Sequence, residues 1–223
     1  MAWILNLVNF DFNQVNKYFY FFVFTSVLVL MSYINNEILV TDDLIIDFYV
    51  ERLTYERISD LIEKSDKWQW IVYPIMPVYY LLKFFIVAIC LYTGVLLAGY
   101  SVNFTKLFHV AMFSELVFFI SSVIKILWFG IFFTEYTLPD LQYFSPLSLL
   151  SFVNRDSIEP WLTYPLQLVN VFEFIYWLLL AYGLYSLTNE WYSKMLGLVA
   201  SSYGVGLLLW TVFIVFLSIS ITP

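Results

Sequence analysis

Charge is what this sequence has least of. Only 12% of its 223 residues are Asp, Glu, Lys or Arg, about half the ~25% of an ordinary soluble domain. Ten Lys and Arg stand against seventeen acids, for a net charge of −7. With no basic cluster, a nucleic-acid groove is excluded, and so is a polybasic clamp on lipid headgroups. Histidine and cysteine occur once each, as His109 and Cys90. A lone Cys forms no intrachain disulfide and leaves the redox compartment unread; here it lies inside an apolar run as a small packing residue. A lone His without ligands at metal spacing predicts neither metal nor cofactor, and His109 reads as a packed or headgroup-level residue. A Gly-rich phosphate loop and a nucleophile elbow are also missing, so no enzymatic activity is expected. No basic region precedes the first apolar run and no small-residue cleavage site follows it, so the first span should persist in the mature chain.

What is abundant is apolar surface: 62% hydrophobic and 22% aromatic residues, with a mean hydropathy of +0.82. The apolar residues clump into runs long enough to cross a ~30 Å hydrocarbon core at ~1.5 Å per residue. The fold expected is all-α, a polytopic bundle of about five transmembrane helices at residues 18–34, 74–100, 107–133, 165–185 and 195–221. Residues 2–12 carry Trp3, Leu7 and Phe10 at helical spacing and read as a surface segment. Residues 41–67 read as one amphipathic surface helix. Asp42 and Asp43 favour its N-terminus, Lys64 and Lys67 its C-terminus. Ile46, Val50, Leu53, Leu61 and Ile62 form its apolar stripe. The polar stretch from Glu37 to Lys67 holds nine of the seventeen acids, as a solvated face or a docking helix. Trp68 and Trp70 suit the interface, and Pro74 and Pro77 start or bend span two.

Small residues recur where helices would approach closely: Cys90, Gly94 and Ala98 in span two, and Gly197, Ala200, Ser201 and Gly204 in span five. Asn103-Phe104-Thr105 matches a glycosylation pattern but abuts a membrane helix, and is not read as an acceptor.

Two stretches resemble the Yip (Ypt-interacting-protein-like) family, particularly its bacterial branch. One is Gly99-Tyr100-Ser101-Val102-Asn103-Phe104-Thr105-Lys106-Leu107, similar to the family's glycine-ended second span and the Phe and basic residue opening its third. The other runs from Val171-Phe172 through Tyr176-Trp177 and Gly183-Leu184 to Ser193-Lys194. The eukaryotic Asp-Leu-Tyr-Gly-Pro signature is missing before Tyr18, so no GTPase-binding residue carries over. The resemblance implies a non-enzymatic role in organising membrane or aiding transport, in a bacterial inner membrane with a cytoplasmic N-terminus. Counting Lys and Arg alone favours the opposite orientation. The resemblance is followed because Lys17, Lys106 and Lys194 sit directly at helix ends on the N-terminal side.

The candidate site residues are charges inside spans: Lys83, Glu115, Lys125 and Glu173. Burying each costs at least ~2.5–3.5 kcal/mol, so such residues face the bundle and find partners. Counting from the predicted ends places Lys125 and Glu173 each about 12 Å from the long-loop surface, as a pair that Lys83 joins if span two begins at Pro74. Glu115 falls about 12 Å from the opposite surface, level with Ser201, Ser202 and Tyr203. Ala111, Glu115, Phe118, Ser122 and Lys125 share one face of span three; Asn170, Glu173 and Trp177 share one face of span four. Two functions fit. The first is a non-catalytic scaffold or accessory subunit of a membrane assembly or transport system. The second is a transporter or channel component passing an ion or solute along the charge layer. Expected partners are the lipid bilayer and a membrane protein or second copy of the chain.

Overall fold

A computed structural model describes residues 17–154 and 158–221; the surface segment expected at residues 2–12 lies outside them. The described residues form an all-helical bundle. Helix α1, Lys17–Ile34, runs on into a π-helical turn, Asn35–Leu39. It is followed by α2 (Asp42–Tyr49), α3 (Tyr55–Gln69) and α4 (Val72–Leu97). Next come α5 (Phe104–Ser114) and α6 (Leu116–Leu127), extended by the π-helical turn Trp128–Phe132, then α7 (Leu138–Tyr143) and a 3-10 turn, Leu149–Phe152. The chain closes with α8 (Pro160–Leu168), α9 (Val171–Thr188) and α10 (Tyr192–Ile221). Among the described residues, five stretches are long and apolar enough to cross a membrane: Tyr18–Leu39, Val72–Leu97, Phe104–Phe132, Val171–Thr188 and Tyr192–Ser220. The protein is an integral membrane bundle, with the two tight links on one face and α2, α3, α7 and the 3-10 turn towards the other.

The tight links follow from helix endings written in the sequence. Gly99 takes φ +81° after α4; Tyr100 N–H then reaches Val95 O and Gly99 N–H reaches Leu96 O, each at 3.0 Å. That double bond pattern closes a helix through a left-handed residue, which glycine adopts without steric cost. Asn189 also ends its helix, α9, in the left-handed region, at φ 54°, with its N–H bonded to Tyr185 O at 2.9 Å. Asn103, the residue of the glycosylation pattern, is the N-cap of α5, its side chain accepting Thr105 N–H at 3.0 Å. Pro74 lies in the first turn of α4, where its missing N–H leaves no helical bond unmade, and Pro77 falls within the helix.

Two expectations about shape are corrected. The stretch 41–67 is two helices, because Thr54 takes the extended backbone of an N-cap and restarts the chain. Restarting rotates the apolar stripe: Ile58 is 1% exposed, Ile46 and Leu53 are half-buried, and Val50 and Leu61 face outward. Span four begins at Val171, six residues later than expected, because Asn170 caps it: Asn170 Oδ1 accepts Glu173 N–H at 2.8 Å.

The core joins α4, α5, α9 and α10 around Leu91, Leu107, Tyr176, Leu180 and Val199. Small residues set its closest approaches. A Cβ on Gly94 would meet Ser202 Cβ at 2.6 Å, one on Gly206 would meet Cys90 Sγ at 2.8 Å, and one on Gly204 would meet Trp177 at 2.7 Å. The expected stripe on span five is only partly a packing face. Gly197 has open space where a side chain would be. Ala200 and Ser201 on α10 and Ala98 at the end of α4 are exposed, Ala98 and Ser201 because they line an open groove between the two helices.

Candidate functional site

The four charged residues split into a cluster and an outlier. Lys83 Nζ on α4 pairs with Glu115 Oε1 in span three, crossing between helices at membrane depth. The ammonium also stands 4.8 Å from the centroid of the Phe118 ring. Glu173 Oε1 accepts two bonds, from Trp177 Nε1 at 2.9 Å and from the Tyr203 hydroxyl of α10 at 2.8 Å. Lys83 and Glu115 lie within electrostatic reach of Glu173. Tyr176, fully buried, lies within reach of both carboxylates and packs on Phe118 and Tyr203, with ring centroids 5.2 and 5.4 Å away.

Depth explains the grouping. Measured from the tight-link face at ~1.5 Å per residue, Glu115 and Tyr203 lie about 16 Å down, and Lys83 and Glu173 about 21–22 Å down. Lys125 lies about 31 Å down by the same rise. It reaches the far face, where its Nζ donates to Leu141 O of α7 at 2.8 Å, as a cation near a helix C-terminus does. The expected Lys125–Glu173 pair is therefore corrected. So is the placement of Glu115 on a level apart from Lys83. The first error came from counting Glu173 inward from Pro165, where span four begins only at Val171; the second came from counting Lys83 and Glu115 from opposite faces.

Span four begins late because it is broken. α9 has 18 residues against 30 in α10, so it starts inside the bundle. Before that start, α8 packs along α10, with Trp210 Nε1 donating to the Tyr164 hydroxyl at 2.9 Å. Between α8 and α9, Val169 and Asn170 are extended. Their backbone groups are taken up by Leu149 N–H to Val169 O at 3.0 Å and Val171 N–H to Leu147 O at 3.2 Å. Non-helical backbone at membrane depth needs such internal partners. Asn170 Nδ2 adds bonds to the carbonyls of Gln167 and Leu168.

Span three is also interrupted at the cluster. α5 and α6 meet at Glu115, where Phe118 N–H bonds Glu115 O at 3.0 Å, a tightened turn.

Glu115 is 2% and Glu173 8% exposed, whereas the Lys83 side chain is 31% exposed. α4 and α8 each pack on α10 but not substantially on each other. Tyr164 of α8 and Tyr79 of α4 stand within electrostatic reach of Lys83. Two polar atoms of the cluster have no hydrogen-bond partner: Glu115 Oε2 and the Tyr176 hydroxyl. Among the described residues, no group of three His, Cys, Asp or Glu could hold a metal. His109 is half-buried in α5, away from the charged cluster in sequence and on a different turn from Glu115.

Tyr176 is the cluster residue that the sequence left unmarked as part of the site, whereas Tyr203 was expected at the level of Glu115. The signal available was Asn170-x-x-Glu173, a residue pattern that opens a helix and so fixes where span four starts. The chain matches no protein-family model, no curated protein and no solved structure.

Proposed function

We propose that this chain is a membrane transport protein, or the transporting component of a larger assembly, that handles an ion or small charged solute at the Lys83–Glu115–Glu173 cluster. The observation that carries the reading is the position of the cluster: buried charges lie at mid-membrane depth beside the break of a discontinuous span. Substrate and coupling-ion sites of secondary transporters are built where helices are interrupted in this way, and ionisable residues inside spans mark ion and proton paths. The partial exposure of Lys83 supports access from the long-loop side, since an ammonium left against hydrocarbon is costly. The reading is non-catalytic. Its orientation, with a cytoplasmic N-terminus in a bacterial inner membrane, rests on the Yip-like stretches alone.

The test is flux in proteoliposomes. Imposed gradients of protons, sodium and chloride should drive protein-dependent movement of at least one, reduced at least tenfold by Glu115→Gln and Glu173→Gln. Rates equal to protein-free vesicles for every gradient, with folded protein, would refute autonomous transport.

One observation favours a second reading, a scaffold or accessory subunit. An apolar groove of about 670 Å³ runs between α4 and α10, lined by Cys90, Gly94, Ala98 and Ser201, and Gly197 and Ala200 are exposed elsewhere on α10. Small outward residues let a further helix approach closely. Crosslinking through a cysteine at Ala200 would capture a copy or partner in native membranes if that reading holds.

A further inference from the structure

Counting charge inside the cluster gives an imbalance. Two carboxylates, Glu115 and Glu173, face one cation, Lys83; Lys125 is engaged at the far surface, and Lys106 and Lys194 sit at the tight-link ends of their spans. With both acids ionised the group would carry a net −1 in a bundle interior where Glu115 and Glu173 are almost wholly buried. An uncompensated charge there is disfavoured, so one more positive charge is required. The open positions show where it fits. Glu115 uses Oε1 for Lys83 and leaves Oε2 buried without a partner, and the fully buried Tyr176 hydroxyl is likewise unpartnered. Both belong to the same cluster, because Tyr176 packs on Phe118, whose ring faces the Lys83 ammonium, and on Tyr203, which bonds Glu173.

We propose that the Glu115–Glu173 carboxylate pair holds one exchangeable proton, shared in the neighbourhood of Tyr176, as the second positive charge of the Lys83 cluster. The proton adds to a carboxylate oxygen, with Glu115 Oε2 as the open acceptor, and leaves from it; no other bond forms or breaks. The two donors on Glu173 Oε1, Trp177 and Tyr203, suit a carboxylate and a carboxyl carbonyl alike, so the Glu173 end tolerates both states. The other titratable groups around the pair are Lys83, Tyr79, Tyr80 and Cys90 on α4, Tyr164 on α8 and Tyr203 on α10; Tyr20 of α1 packs on Phe113, with ring centroids 4.2 Å apart. Every one of these except Lys83 is a phenol or a thiol, which is never a cation, so none supplies the missing charge. Exchange rests on the transport reading, in that water must reach Lys83.

Infrared difference spectroscopy on the full chain in lipid tests this. Exposed carboxyls are ionised at neutral pH, so a protonated-carboxyl band there reports a buried acid. The wild type should show a band equal to one carboxyl that shifts in heavy water and fades as pH rises. Glu115→Gln and Glu173→Gln should each abolish it, because either leaves one acid balanced by one lysine. Lys83→Met should double it. An ordinary buried neutral acid would lose the band in only one of the two Gln variants, and that result would overturn the proposal. So would a wild type without the band at neutral pH, a measurement that needs no variant. A band that never exchanges in heavy water, or one displaced by sodium at constant pH, would also overturn it, the latter in favour of a metal cation. A normal band together with absent flux would instead reject the transport reading and leave the proton site standing.

Discussion

The Tyr203 hydroxyl donates to Glu173 Oε1 at 2.8 Å, and this bond ties the middle of α10 to the first turn of α9. It holds the start of a helix that begins inside the bundle. Side-chain bonds between membrane helices contribute about 0.6 kcal/mol on average and up to about 1.7. Tyr203→Phe should therefore lower unfolding free energy in mild detergent by about 0.5–2 kcal/mol. In a double-mutant cycle with Glu173→Gln the losses should be non-additive; additive losses would show that the bond contributes nothing.

Lys83 and Glu115 should couple more strongly. Removing one partner leaves a buried charge uncompensated, at a cost that reaches 3–5 kcal/mol for wholly buried pairs. Lys83 is partly exposed, which reduces the expected loss for Lys83→Met or Glu115→Gln to about 1–3 kcal/mol. The double variant should regain part of it, with a coupling of about 1 kcal/mol. The same cycle on Lys125 and Glu173 should give additive effects, since the two have separate partners.

Gly94 and Gly197 make opposite predictions from the same residue type. A Cβ on Gly94 would meet Ser202 Cβ at 2.6 Å and Leu198 at 3.0 Å, so Gly94→Ala must push α4 from α10 and should cost about 1–3 kcal/mol. Gly197→Ala enters open space and should stay within about 0.5 kcal/mol of wild type. Thermal denaturation of both variants in one detergent is the check. A partner helix seated at Gly197 would appear as a loss seen only in native membranes.

The surface helices predict a labelling pattern. In a chain with Cys90 replaced by Ala, a cysteine at Ile58 should react slowly with a water-soluble thiol reagent, and cysteines at Asp60 and Leu61 quickly. Equal rates at Ile58 and Asp60 would mean that α3 does not pack as described. A cysteine at Val50 should also react, because it lies in the break between α2 and α3.

The spans were legible in the sequence because hydropathy and length decide them together, and the two tight links were marked by Gly99 and by short polar connections. The break of span four was not. Residues 160–188 are apolar almost throughout, so hydropathy sees one continuous crossing, and only Asn170 with Glu173 marks the interruption. That single boundary shifted the inferred depth of Glu173 and so its partner, which is why all four charged residues were identified and two were paired wrongly. The restart at Thr54 was hidden for a similar reason: an N-cap residue inside a mostly polar stretch leaves hydrophobic periodicity only slightly disturbed.

The most direct test of the transport reading is whether water reaches Lys83. In the chain with Cys90 replaced by Ala, cysteines at Lys83, Leu82 and Phe85 are compared in sealed vesicles with a charged, membrane-impermeant thiol reagent. Leu82 and Phe85 lie beside Lys83 on α4 but carry exposed apolar side chains, and should stay unreactive in lipid. The account predicts modification at position 83 from the long-loop face only, slowed by bulk introduced at Tyr164. If position 83 is as inert as 82 and 85 from both faces, the cluster is a dry helix lock and the transport reading is contradicted.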